Sequence, residues 1–160
     1  MQIQNQLMVS TLKGRITMND LSHEFEVSIY GFWTELQRTA IPADKNIYFI
    51  FSGIILGDAV CRISRTLYIG EGDAASNVIR AGDFSRFKSE LSAGESLFFA
   101  TGEVAGDVAV VQEALVRQFN PTIRDEAAGM RRTQTIPVRI HIVGKVPGIY
   151  RGSEVFEVTL

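Results

Sequence analysis

Asn46-Ile47-Tyr48-Phe49-Ile50-Phe51-Ser52-Gly53 and, further along, Leu67-Tyr68-Ile69-Gly70-Glu71-Gly72 carry the strongest structural signal in the chain. Each is short, apolar and rich in aromatic and branched side chains, and the first is bounded by Pro42-Asp44 and Gly53, which fits a buried strand better than a helix. Gly53 to Ser64 reads as a long hairpin connection with Gly57-Asp58 as its turn, and Thr66 to Glu71 returns as the partner strand. Tyr48 and Tyr68 then fall on antiparallel neighbours, where a suitable register lets their side chains meet on one face.

Working upstream, Gln6 to Leu12 and His23 to Tyr30 read as strands, the second alternating Phe25, Val27 and Ile29 against Glu24, Glu26 and Ser28. Gly31 to Arg38 reads as a short helix, and residues 1–45 together as a layer added to the core. Downstream, Asp73 is placed to cap a helix through Val78 and Ile79 to Arg80. A second helical stretch runs from Phe84 to Leu91, and Ser96 to Thr101 reads as a third core strand. Asp107 to Phe119 is the clearest helix, with Asp107 as N-cap, a stripe of Val108, Val111, Leu115 and Phe119, and Asn120-Pro121 as its stop. Residues 124–132 read as a surface excursion, and Ile136 to Val143 and Ser153 to Leu160 as two last strands. The expected architecture is a mixed α/β (α+β) domain over 1–160, a small central antiparallel sheet flanked by helices with extra N- and C-terminal strands.

Composition narrows the chemistry. With 160 residues, 46% of them hydrophobic, the chain has material for one core. No apolar run approaches the roughly 20 residues that span a bilayer, and the N-terminus lacks the layout of a signal peptide, so a cytoplasmic protein without membrane contact is expected. The lone Cys61, with His23 and His141 the only histidines, provides no zinc spacing. A net charge of -2 argues against coating nucleic acid by bulk electrostatics, although arginines far outnumber lysines and their planar fork suits phosphate.

Glu113 stands among Ala109, Val110 and Val116 on the side of its helix away from the core stripe, so partial burial is expected. A buried carboxylate needs a partner, either a salt bridge to Arg117 one turn on or a metal ion. Asp125-Glu126 and the pair Glu24 and Glu26 read as solvated charges. Gly70-Glu71-Gly72-Asp73 lacks the lysine and spacing of a phosphate loop.

The order of these elements resembles the GIY-YIG nuclease superfamily over residues 46–124: a hairpin with Asn46-Ile47-Tyr48 and Tyr68-Ile69-Gly70, a helix with an arginine, a third strand, a helix with a glutamate, then Asn120-Pro121. Gly148-Ile149-Tyr150 is a literal match to the family's first triplet and Ser28-Ile29-Tyr30 comes close to it, but neither stands in its place. The resemblance implies a metal-dependent endonuclease acting on nucleic acid, DNA in the first instance. In it Tyr48 and Tyr68 position or activate water, Arg80 (or Arg86) binds the phosphate and Glu113 holds Mg²⁺ or Mn²⁺. A tyrosine base requires adjacent positive charge to lower its pKa from near 10. Asn46 replaces the glycine of the first triplet, the histidine expected along the arginine helix has no counterpart, and Arg124 stands where a second asparagine is expected. These departures carry the alternative: a catalytically inactive module of the same scaffold that binds nucleic acid or a protein partner.

Overall fold

The computed structural model describes residues 23–57, 60–72, 79–80, 82–125, 136–144 and 153–160. Its strands are β1 (His23–Thr34), β2 (Ile47–Gly57), β3 (Val60–Glu71), β4 (Ser96–Val104), β5 (Pro137–Gly144) and β6 (Ser153–Thr159). A 3₁₀ helix (Glu35–Ala40), the single turn α1 (Ser85–Lys88) and the longer α2 (Val108–Phe119) lie between them. The fold is mixed α+β and dominated by its sheet.

The strands form one six-stranded sheet in the order β3-β2-β4-β1-β5-β6. Every neighbour pair is antiparallel except β1 and β5, which run parallel. The sheet is therefore larger than the small one expected, and mixed rather than antiparallel. β1 is no added layer: it lies inside the sheet between β4 and β5. α2 touches β3 as well as β5 and β6, strands from the two ends of that order, so the sheet curls around one helix.

β2 shows why a continuous apolar run was needed. Successive strand residues face opposite sides, and both sides of β2 are covered. Ile47 and Phe49 join α2 residues Val110, Val111, Ala114 and Leu115 in one buried cluster. Tyr48 and Ile50 join Ile41, Leu67, Ile79, Phe84, Leu97 and Phe99 in the other. Beyond Gly53 the expected connection is strand instead: β2 and β3 stay paired out to Gly57 and Val60, and Asp58 of the expected Gly57-Asp58 turn lies outside the described residues.

α2 forms as its pattern predicts, Asp107 accepting a hydrogen bond from the Val110 amide at 3.1 Å. Its buried side is broader than the expected stripe, holding Val110, Val111, Gln112, Ala114 and Leu115, with Val108 and Phe119 half-buried. Asn120 ends it in a left-handed conformation with φ 47°. The chain then runs along the outer edge of β3, the Thr122 and Ile123 amides donating to Thr66 and Leu67 carbonyls at 3.2 and 2.9 Å. This short strip supplies backbone partners to an edge that would otherwise be open.

Other expected boundaries shift. Residues 31–34 continue β1 through a register shift, and the helix expected at Gly31 starts at Glu35 as 3₁₀. The stretch from Phe84 to Leu91 keeps one α turn. Ile79 and Arg80 are helical, while the Asp73 cap, the strand at Gln6 to Leu12, most of the 124–132 excursion and Gly148-Ile149-Tyr150 lie outside the described residues. Among the described residues no helix is long and apolar enough to cross a membrane.

Candidate functional site

One row of the sheet crosses four strands: Tyr30 on β1 opposes Thr101 on β4, which opposes Tyr48 on β2, which opposes Gly70 on β3. Directly opposed residues share a face. Because Gly70 has no side chain, the Tyr48 ring lies over it. A Cβ there would come within 2.2 Å of Tyr48 Cζ and 2.4 Å of its hydroxyl. The glycine of Tyr68-Ile69-Gly70 is thus a seat for the tyrosine of the first motif.

Seated there, Tyr48 meets Tyr68, which stands in the adjoining row opposite Ile50. Their ring centroids are 5.8 Å apart at 41°, close enough for the two hydroxyls to interact. Tyr68 in turn donates to Asp125 Oδ2. A phenol has one proton to give, so the chain of donors runs from Tyr48 to Tyr68 to the Asp125 carboxylate. Phe87 on α1 packs against Tyr68 with centroids 5.7 Å apart.

Both phenols are pushed above their ordinary pKa. For Tyr48 the main cause is burial, opposed by its interaction with the Tyr68 hydroxyl and reinforced by the Asp125 charge. Tyr68 is raised strongly by burial and by its bond to Asp125. The charge beside them is a carboxylate rather than a cation, so both act as neutral donors.

The remaining expected residues are placed differently. Arg80 is exposed beside the tyrosine-side cluster, and its guanidinium donates to the Ile41 carbonyl. Arg86 is exposed on α1 next to Phe87. Glu113 sits on α2, which packs on the opposite face of the sheet. Its side chain is 14% exposed, as its apolar neighbours suggested, and Arg117 pairs with it at 3.0 Å while also donating to the Thr159 carbonyl at 2.9 Å. Of the four residues expected at the site, Tyr48 and Tyr68 are in contact, Arg80 is bonded to Ile41 of the cluster that holds Tyr48, and Glu113 is engaged on the other face.

Asn46 has a structural task. Its side-chain amide donates to the Val104 carbonyl at 2.8 Å and accepts from the Val104 amide at 3.0 Å, clamping the start of β2 to the end of β4. Lys45, buried beside it, bonds Glu103 at 3.0 Å and Asp44 at 3.3 Å, and lies 4.6 Å from the centre of the Tyr30 ring.

Sequence reasoning missed Tyr30, Thr101 and Asp125. Tyr30 carried a signal in Ser28-Ile29-Tyr30, set aside for its distance from the hairpin. Thr101 is fully buried, and its hydroxyl finds no hydrogen-bond partner among the described residues. Asp125, read as a solvated charge, meets Tyr68 because the strip after α2 follows the β3 edge. Glu24 and Glu26 do lie on an outer face, with Arg139 at 2.8 Å and His141 at 4.0 Å. Among the described residues no group of three or more histidine, cysteine or acidic side chains is gathered as a metal cage. Scans against protein-family models, curated proteins and solved structures return no match to this chain.

Proposed function

We propose that the chain is a GIY-YIG-like endonuclease hydrolysing phosphodiester bonds of nucleic acid, DNA in the first instance, in a cytoplasmic setting. The observation that carries this reading is the contact of the Tyr48 and Tyr68 rings, 5.8 Å apart, with Tyr48 seated over Gly70, which is the pairing the resemblance implies. Held neutral, with Tyr68 donating to Asp125 and Tyr48 to Tyr68, the pair leaves the Tyr48 oxygen to accept a hydrogen bond from the attacking water and orient it. Arg80 supplies the cation for the phosphate after exchanging the Ile41 carbonyl for it, with Arg86 on the neighbouring turn as its alternative.

Mg²⁺ or Mn²⁺ on Glu113 belongs to the resemblance. One carboxylate with substrate phosphate and water is an ordinary Mg²⁺ site. Glu113 does not fit that role beside these tyrosines, since Arg117 holds its Oε1 and its helix packs on the other face. The reading therefore routes no step through a metal.

Cleavage of labelled single-stranded, duplex and branched DNA, with and without Mg²⁺ or Mn²⁺, tests it. Tyr48→Phe is expected to lower the rate on the order of 100-fold, the lower range for losing a placed proton-transfer group. Glu113→Ala reports whether the carboxylate takes part at all. A wild-type protein that cleaves none of the three substrates overturns the proposal. The Glu113–Arg117 pair favours the second reading, a module that keeps the scaffold without the chemistry, whose signature is a DNA mobility shift with no product and no stabilisation by Mg²⁺ or Mn²⁺.

A further inference from the structure

The pair of tyrosines does not end in solvent. Tyr68 gives its only hydroxyl proton to Asp125, so toward Tyr48 it can only accept, and Tyr48 is the donor of that pair. Asp125 is held in place by the chain before it: the Thr122 and Ile123 amides are locked to the β3 backbone one and two residues from Tyr68, and Arg124 donates to Asn120 at the end of α2. Neither phenol can be the base on its own account, because burial and a nearby carboxylate both favour its neutral form.

We infer that Asp125 is the terminal proton acceptor of a relay from water through Tyr48 and Tyr68. This rests on the endonuclease reading and deepens it. As a water oxygen attacks phosphorus, its O–H bond breaks and the proton passes to the Tyr48 oxygen. Tyr48 passes its own proton to Tyr68, and Tyr68 passes its own to the Asp125 carboxylate. The P–O bond to the leaving oxygen breaks, that oxygen takes a proton from bulk water, and Asp125 later returns its proton to solvent. Both phenols end as they began. Asp125 acts through Tyr68 and is a positioning and relay residue rather than one that touches substrate.

Among the described residues, the titratable groups that act on Asp125 are Tyr68 on β3, which donates to it, and Tyr48 on β2, with Arg124 adjacent in the chain. An ionised Asp125 is needed for the relay, so cleavage by the full chain should show an acid limb of unit slope in log kcat against pH.

The test is that profile for wild type, Asp125→Asn, Asp125→Glu and Tyr68→Phe, with a thermal melt on each to confirm folding. Asp125→Asn is expected to lower kcat on the order of 100-fold, the lower range for proton transfer by a placed side chain, and to remove the acid limb. Asp125→Glu should restore the limb in part, and Asp125→Asn combined with Tyr68→Phe should be no slower than either alone. A second readout needs no turnover: absorbance titration should show a tyrosine ionising at lower pH in Asp125→Asn than in wild type. Wild-type cleavage with an unchanged rate and profile in Asp125→Asn overturns the relay alone. Wild type without cleavage overturns the endonuclease reading, and the relay with it.

Discussion

Gly70 is required by its neighbour rather than by its own backbone. The Tyr48 ring occupies the space above it, and a Cβ would press on the ring at 2.2 Å, against the middle of a buried side chain that cannot swing away. Gly70→Ala should therefore destabilise the fold by about 1–3 kcal/mol, the usual scale of overpacking, and should displace the Tyr48 hydroxyl from Tyr68. Urea denaturation and a cleavage assay check both, and an unchanged midpoint would refute the packing argument. Asn46 can be tested in the same way. Its amide satisfies both backbone groups of Val104, so Asn46→Ala leaves a buried N–H and C=O without that partner. We expect a loss of about 1–3 kcal/mol, and Asn46→Gly, which restores the resembled triplet, should lose no less. The residue that departs from the family pattern is here the one that anchors its strand.

At the scale of elements, the sheet is tied at its β4 entrance by Glu95. Its carboxylate accepts from the Ser92 amide at 2.9 Å and from the Ser52 hydroxyl at 3.3 Å, with Arg65 at 3.6 Å. The Ser92 amide first, then the Ser64 hydroxyl, Arg65 and Ser52 hold its carboxyl below the ordinary glutamate range. A depressed folded-state pKa contributes stability that is present above the unfolded value of about 4.3 and is lost as pH falls through the folded one. Urea midpoints should thus drop between pH 6 and pH 3 in wild type, and drop less in Glu95→Gln. An identical acid dependence in the variant would remove Glu95 from this role.

At the scale of the whole molecule, the stretch that resembles a known core is not a separable unit. β1 lies between β4 and β5, and its Val27 and Ile29 are buried with Ile140 and Ile142 in the cluster beneath α2. Cutting the chain to residues 46–124 would remove β1, β5 and β6, leaving an inner edge of β4 open and part of α2 bare. That fragment is expected to show no cooperative urea transition and a poorly dispersed amide NMR spectrum. A well-dispersed spectrum would contradict the placement of β1 as an integral strand.

Much of this was legible in the residues themselves. Alternation and aromatic content placed β1, β2, β4, β5 and β6, and the 3.6-residue pattern between Asp107 and Asn120 placed α2 with its caps. The hairpin brought Tyr48 and Tyr68 together, since short-range pairing leaves few registers that keep both faces of β2 buried. Tertiary structure alone decided the rest. Which strand lies beside which is settled by total burial across the sheet, so the parallel pairing of β1 with β5, far apart in the chain, had no local signature. The tyrosine–Asp125 chain arose in the same way, from the path of the backbone after α2 along an edge in need of partners. Glu113 shows the converse: its helix and its partial burial were readable, but the face on which that helix would pack depended on the curl of six strands.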